Sequence, residues 1–581
     1  MLFKQGMPIR VLNEADADPI ARFAAEELAC YLQKMLAVTV AEDGFPFELK
    51  MADSEPEEGF CITIADDHVC LTGGDGRGLL YAVYEFLEAE WGCCFGAMNT
   101  PEADVGEIVP QYTEKEITCK IRHCSAGLPY RAAIVQFDCW AGNADRGLTL
   151  PFIDWLAKNR YNRIVTWHSC YAQLRELGYL PELEKRGIRL TVGHHQACSV
   201  WLPPEKYAVE HPEFYRLLSD GNRYTPTLGD YHGQWILCAH SDKCVDEVAH
   251  NILTWAEENP LVDTVAFWPQ DDVDEDCRCE QCRRHSKTEN YLYFENELAK
   301  RIAAVRPDLM VDVLIYKDLW ACPEDVTLCD NIRIDMSTWG ADGLRTCGRP
   351  DGSCLIGTHF EETLLGYRQK CRHTVYYEYY MGNYGNRQRL MPAADELQAI
   401  FRRCADVEID GSGTQIECFN LWNNLLNFYG FARSAYDLEM TAEKAMQTLS
   451  AICGEGAEAV CRVWELCESC LDGQVPIDQT GAFVAEHIDR EKVYALFDQA
   501  LQQTASARCR NNIRMLRMAF RHSDLATALE KKTILPPQQT ELSYLASRFD
   551  SYTVNHTGYG ISIPYVQPSD AHIDDVWYSF E

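Results

Sequence analysis

The sequence predicts an α/β fold: a TIM (β/α)8 barrel with an N-terminal α/β accessory domain and a C-terminal helical domain, divided at residues 1–120, 121–424 and 425–581. Three observations predict it. A chain of 581 residues exceeds what one ordinary core organises. Between about Pro129 and Phe419, strand-like and helix-like segments alternate, the pattern of repeated βα units around a parallel sheet. The strand-like segments number eight, which closes a barrel.

Taken in chain order, AARFAAEELACYLQKML reads as an amphipathic helix and FCITIAD and HVCLTG as strands. Next comes GGDGRGLLYAVYEFLEAEWG, in which Gly73, Gly74, Gly76 and Gly78 form a tight turn before Leu79, Leu80, Val83, Phe86 and Leu87 recur at helical spacing. The turn is GxGxG rather than GxGxxG, and no acidic residue stands about twenty positions on to bind a ribose, so a dinucleotide fingerprint is incomplete.

The eight barrel strands are YRAAIVQF, NRIVTWHS, RLTVGHHQ, TVAFWPQDD, MVDVLIY, IRIDMSTW, TVYYEYY and TQIECFN, with helices such as FIDWLAKNR and YLYFENELAKRIAAV between them. Beyond Leu425 the amphipathic stretches AYDLEMTAEKAMQTLSAI, AEAVCRVWELCESCL and CRNNIRMLRMAF predict helices to about residue 533.

Several strands change character at their C-terminal ends, where apolar runs give way to Trp167-His168, His194-His195, Asp271-Asp272, Tyr316, Trp339, Glu378 and Glu417. In a barrel these ends share one mouth, so residues far apart in the chain are expected to meet there. Carboxylates (Asp271, Asp272, Glu378, Glu417) among aromatic rings suit hydrolysis of a glycosidic bond. One carboxyl protonates the leaving oxygen and the other attacks, or activates water, at the anomeric carbon. Arg131, Trp167, His168, His194, His195, Trp268, Tyr316, Trp339, Tyr377, Tyr380 and Trp422 are the expected sugar-binding residues, with rings as apolar platforms and polar groups reading hydroxyls.

Simpler roles compete at several of these positions. An aspartate after a strand often caps the next helix, so capping competes with catalysis at either of Asp271 and Asp272. About half of Tyr376, Tyr377, Tyr379 and Tyr380 should face the surrounding helices, and one of His194 and His195 should point away from the mouth.

Composition narrows the partners. The 88 acidic against 53 basic residues give a formal charge of −35, spread along the chain, which repels nucleic acid. No segment approaches the length of a membrane span, and the first residues carry no apolar run of signal-peptide length, so a cytoplasmic protein with no membrane partner is expected. The 27 cysteines, odd in number and irregular in spacing, fit reduced thiols rather than a disulfide framework. The expected partner is a carbohydrate substrate. A homodimer is allowed, the oligomeric state being otherwise open.

Separated from WPQDD by four residues stands Cys277-x-Cys279-x2-Cys282-x2-His285, four potential ligands within nine residues. Such a set suits tetrahedral zinc, although so compact a run would be a tight knuckle rather than two paired halves. Either a structural zinc or reduced thiols bracing the loop accounts for it, and no cofactor is required for catalysis.

GGDGRGLLYAVYEFLEAEWG resembles the N-terminal accessory domain of hexosaminidases and α-glucuronidases. DWLAKNRYN, VGHH, HPEFYRLL, WPQDD with DCRCEQC, VRPDLMVDVLIY and IECFN together resemble a bacterial domain family of unknown function, part of which is glycoside hydrolase family 163. The resemblance spans roughly residues 20 to 435.

It implies a (β/α)8 glycosidase and, for family 163 itself, an endo-β-N-acetylglucosaminidase acting on complex N-glycans. The aspartates of WPQDD match the carboxylate that ends the fourth strand, and Glu417 matches the glutamate that ends the last. Hexosaminidases carry Asp-Glu where this chain has Asp271-Asp272, so substrate assistance lacks its usual pair. A small oligosaccharide or glycan fragment cleaved by a β-N-acetylhexosaminidase type of activity is the leading expectation. An α-glucuronidase-like inverting hydrolase and a non-catalytic carbohydrate-binding or scaffold protein are the alternatives.

Overall fold

The structure, a computed structural model, describes residues 1–100, 104–135, 140, 144–145, 147–224, 237–269, 276–316, 319–338, 358–380, 389–416, 421–471 and 480–549. The N-terminal part is built on a six-stranded sheet of β2 (Pro8–Asn13), β3 (Thr39–Val40), β4 (Phe45–Met51), β5 (Phe60–Ile64), β6 (Val69–Gly73) and β8 (Lys120–Cys124), in the order β3-β2-β4-β6-β5-β8. A separate antiparallel pair joins β1 (Leu2–Lys4) to β7 (Glu114–Glu116).

Helices Pro19–Leu36 and Gly76–Trp91 bury their apolar residues, among them Leu28, Leu32, Leu80 and Phe86, in one core with Phe47, Leu49, Ile62 and Leu71 of the sheet. Each begins at an aspartate that accepts a backbone N–H of the first turn, Asp18 from Ile20 at 2.8 Å and Asp75 from Gly78 at 2.7 Å. The glycine-rich turn has a packing reason: a Cβ on Gly78 would lie 2.3 Å from the Gly59 carbonyl oxygen, so only glycine lets the helix start approach the segment before β5.

Eight parallel strands close the barrel: β9 (Tyr130–Val135), β10 (Arg163–Trp167), β11 (Arg189–Gly193), β12 (Val262–Ala266), β13 (Met310–Ile315), β14 (Ile332–Ser337), β15 (His373–Glu378) and β16 (Gly411–Gln415). Each strand pairs with the next in the chain, and β16 returns to β9. All eight overlap the segments that the sequence marks as strands, but β12 begins two residues before its segment and β16 three residues before, sharing only Thr414 and Gln415 with it. Alternation along them separates two cores. Val311, Val313, Ile332, Ile334, Met336 and Tyr376 point to the outer helices, whereas Ile134, Val165, Trp268, Leu314, Val375 and Tyr377 fill the barrel.

Beneath that apolar layer lies a charged one. Asp312 and Asp335 are fully buried inside the barrel, and Arg333 reaches Asp312 at 3.5 Å while lying over the Tyr130 ring at 4.9 Å. Neither carboxyl oxygen of Asp335 has a hydrogen-bond partner among the described residues. Burial, with the Asp312 charge adding to it, drives the Asp335 carboxyl well above its ordinary range, so it is held neutral.

Because the folded protein holds a proton that the unfolded chain releases, this residue costs stability increasingly as pH rises above the ordinary aspartate range. Asp335→Asn is therefore expected to match the parent in acid and to exceed it by a margin that grows as pH rises above the ordinary aspartate range, by about 1.4 kcal/mol for each pH unit over which the folded protein keeps the proton. Thermal or denaturant unfolding of both proteins across pH checks this; a gap that shrinks with rising pH refutes it.

The N-terminal ends of the barrel strands rest on the accessory sheet. Arg131, the second residue of β9, donates to Glu58 at 2.6 Å, to the Arg160 carbonyl at 2.7 Å and to the Leu128 carbonyl at 2.5 Å. Glu58 also accepts from Asn162 at 2.9 Å and pairs with Arg77 at 3.2 Å, and its carbonyl takes the Tyr436 hydroxyl at 2.7 Å. One glutamate thus ties sheet, barrel and the helix Leu425–Tyr436 together.

Helices Ala442–Ser450, Ala457–Glu468, Thr480–His487, Arg490–Gln503, Ala507–Glu530 and Pro536–Phe549 complete the described chain. They dock through buried polar contacts such as Ser523 Oγ with the Leu390 N–H at 2.7 Å and Asn512 with the Gly106 carbonyl at 3.0 Å. Among the described residues no helix is long and apolar enough to cross a membrane.

Candidate active site at the barrel mouth

The C-terminal ends of β10 to β15 bring a ring of aromatic side chains together. Trp268, just past β12, forms the floor. It is fully buried, its indole N–H donates to Asp312 Oδ1 at 2.7 Å, and its ring lies 4.1 Å from His194 and 6.0 Å from Tyr377. Above it stand Trp167, 5.6 Å from His194, and Tyr316, 5.9 Å from His195. Tyr379 stacks at a tilt on Tyr377 at 4.8 Å. Polar groups are interleaved: the Tyr377 hydroxyl donates to Gln415 at 2.9 Å, Ser337 and Tyr379 share a hydrogen bond of 3.2 Å, and His195 Nδ1 bonds the Pro269 carbonyl.

Both histidines of the pair face this cluster, where strand alternation predicts only one. The reason is in the backbone. Gly193 has φ +138°, and a Cβ there would sit 2.1 Å from the Ala266 carbonyl oxygen; His194 follows in the left-handed region at φ +61°. The chain turns at once into the short 3-10 segment His194–Gln196, which ends the period of two and swings both rings onto Trp268. A non-glycine residue held at positive φ is costly and marks a place where the fold fixes an uncommon geometry. Burial, with the His195 charge adding to it, drives His194 well below its ordinary range and leaves it neutral.

Other expected mouth residues sit elsewhere. Arg131 lies at the opposite end of the barrel and is spent on Glu58, because it enters β9 at its N-terminal end. His168 starts the helix His168–Glu176 and packs between Trp255, 5.3 Å away, and Trp201, at 6.2 Å; burial lowers its pKa to about 4. Tyr380 belongs to the outer core, 6.0 Å from Phe431. Trp422 is in the buried turn Leu421–Asn424, which packs on helix Ala507–Glu530.

Of the carboxylate candidates, Glu378 is buried and its Oε2 accepts the Tyr379 N–H at 2.9 Å. Alternation along β15 puts it on the side of Tyr376 and Tyr380, away from the Tyr377 face. Asp271, Asp272, Glu417 and Trp339 lie outside the described residues. Their neighbours are placed: Pro269 is fixed to His195, and the Ile416 N–H donates to the Ile134 carbonyl at 2.8 Å.

Ser337, Tyr379 and Gln415 join the site without having been expected there. Each is two residues, or an even number, from an inward residue of its own strand, so the pleat of β14, β15 and β16 carried the signal.

Beside the mouth, the thiols of Cys238, Cys277, Cys279 and Cys282 lie within 4.8 Å of one another. Cys238 takes the place expected of His285, whose exposed ring stacks on His240 at 5.3 Å. A small pocket lined by Pro269, Cys277, Cys282, Asn290 and Leu319 separates this cluster from the end of β12.

No curated protein matches the chain in sequence. Among solved structures, a family GH115 4-O-methyl-α-glucuronidase with specificity for decorated arabinogalactans superposes with a TM-score of 0.61 at 10% identity, over 95% of this chain and 77% of that one. A GH138 enzyme targeting pectin rhamnogalacturonan II gives 0.56 at 10% identity, over 94% of this chain and 72% of that one. These likenesses establish the shared architecture. The family described as domain of unknown function DUF4838 matches residues 104–445, the barrel with its flanking segments, and the chain therefore belongs to the DUF4838 family.

Proposed function

We propose that this protein is a glycoside hydrolase that cleaves a small oligosaccharide or glycan fragment, with a β-N-acetylhexosaminidase type of activity. The observation that carries this reading is the aromatic cluster at the mouth: Trp268, Tyr377, Trp167, Tyr316 and Tyr379 around two histidines and the Gln415 amide. Rings supply apolar faces for sugar carbons, and the interleaved donors and acceptors match hydroxyl and acetamido groups.

Asp271 and Asp272 follow Pro269 by two and three positions and Glu417 follows Ile416 directly, so in sequence these carboxylates come shortly after the ends of β12 and β16. The division of labour is that of two carboxyls across a scissile bond, one neutral as acid and one ionised. The sequence resemblance to glycoside hydrolase family 163 and the architecture shared with the two carbohydrate-active neighbours are consistent with it.

An α-glucuronidase-like reaction would need cations for the uronate. Arg131, the arginine expected to serve, is buried against Glu58, and His194 is neutral. An aromatic platform whose polar partners among the described residues are Ser337, the Tyr379 hydroxyl and the Gln415 amide favours a neutral amino sugar.

Nitrophenyl glycosides and short reducing oligosaccharides test the proposal. Release of product from β-N-acetylhexosaminides at rates well above those for uronides is expected. Preferential cleavage of α-glucuronides would overturn the sugar assignment, and saturable binding without turnover across the panel would overturn the enzyme.

A further inference from the structure

We propose that Cys238, Cys277, Cys279 and Cys282 form a four-thiolate zinc centre beside the barrel mouth, with His285 outside the ligand set. Sulfurs 2.3 Å from a central zinc lie about 3.8 Å apart at the corners of a tetrahedron. Cys238 Sγ and Cys279 Sγ are 3.8 Å apart, and all four sulfurs fall within 4.8 Å of one another. A disulfide would bring two of them to about 2.05 Å. Every one of the four is a free thiol here.

Backbone amides are already turned toward the sulfurs. The Leu217 N–H donates to Cys277 Sγ at 3.3 Å and the Cys282 N–H to Cys279 Sγ at 3.4 Å, so both sulfurs are held in place within the cluster. The loop Cys277-x-Cys279-x2-Cys282 supplies three ligands from one tight turn, and Cys238 arrives from just ahead of helix Asp242–Glu258. With four protein ligands the shell is closed, so the metal holds structure and does no chemistry.

What it holds follows from chain connectivity. Residues 270–276 run from Pro269, bonded to His195, to Cys277 in the cluster. Both ends of the segment that carries Asp271 and Asp272 are thereby tied down, and zinc would make the second tie rigid. The ligand assignment stands independently of the proposed hydrolase activity.

Protein purified without added metal should contain close to one zinc per chain by elemental analysis. Cys238→Ser should bring this to near zero, and His285→Ala should leave it unchanged. Should Cys238→Ser fail to fold, exchange of zinc for cobalt in the unaltered protein gives the same answer, since an all-sulfur shell and one containing imidazole differ in their visible bands. Absence of zinc from freshly reduced protein, zinc loss in His285→Ala, or a cobalt spectrum of mixed sulfur and nitrogen ligation would each overturn the assignment. A disulfide found within the four in protein kept under reducing conditions would do the same.

Discussion

Arg131→Ala is expected to destabilise the protein by about 3–5 kcal/mol, the usual result of stripping one partner from a buried ion pair. Arg131 is fully buried, and every hydrogen bond it makes goes to the junction between accessory sheet and barrel. Its removal leaves Glu58 with Arg77 at 3.2 Å and the Asn162 amide at 2.9 Å, which keeps the loss nearer the lower figure.

The pH dependence carries a sign that separates this from simple loss of packing. Burial pushes the Glu58 carboxyl up, but Arg131 and Arg77 outweigh it and hold the group below its ordinary range. A depressed carboxylate contributes stability that is present above the unfolded pKa and is lost as pH falls through the folded one. The gap between parent and variant should therefore be widest near neutrality and narrow on acidification, as Glu58 takes a proton in both. Urea unfolding across pH reads it. At a temperature where the variant is folded, KM should not change; an unchanged unfolding midpoint with a raised KM would return Arg131 to the sugar site.

Position within a strand accounts for why such a residue misleads when only its sequence context is considered. A polar side chain in an otherwise apolar segment suggests function, yet in a barrel the two strand ends face opposite ways. Arg131 is the second residue of β9, whereas Trp167 closes β10 and Trp268 follows β12. Most of the strands were legible because short apolar runs between amphipathic helices fit little besides the buried strands of a parallel sheet, whereas β16, Gly-Ser-Gly-Thr-Gln, has no apolar run and the sequence marks it three residues late. The tyrosines of β15 obey the period of two so strictly that Tyr377 and Tyr380, three apart, could not share a face; Tyr377 pairs with Tyr379 instead.

Two features had no local signature. The double histidine faces one way because Gly193 takes a φ that glycine tolerates and the sequence does not announce. Cys238 stands 41 residues before Cys279, and only the return of the chain after β11 brings the two sulfurs together. Spacing rules see ligands that are close in sequence and credit His285 for its proximity.

Glu417→Gln is expected to lower kcat by about 10²–10⁴-fold, the range for loss of one acid–base group, while leaving fold and sugar affinity near those of the parent. The substitution is nearly isosteric and removes only the capacity to ionise or to give up a proton. β16 prepares the position: Gly411 and Gly413 alternate toward the interior with Gln415, which accepts the Tyr377 hydroxyl, so the strand delivers small residues below and polar ones at the mouth.

The leaving group then tells acid from nucleophile. A nitrophenolate departs without help, so if Glu417 is the acid, the variant should lose far less rate on nitrophenyl glycosides than on oligosaccharides, whose alkoxides need a proton. If Glu417 attacks the anomeric carbon or activates the water that does, both substrates should slow alike, and the acid falls to Asp271 or Asp272. Calorimetric titration with the product sugar measures the retained affinity. Near-parental turnover of both substrate types would remove Glu417 from the chemistry and leave the aromatic mouth a binding surface in search of its carboxylates.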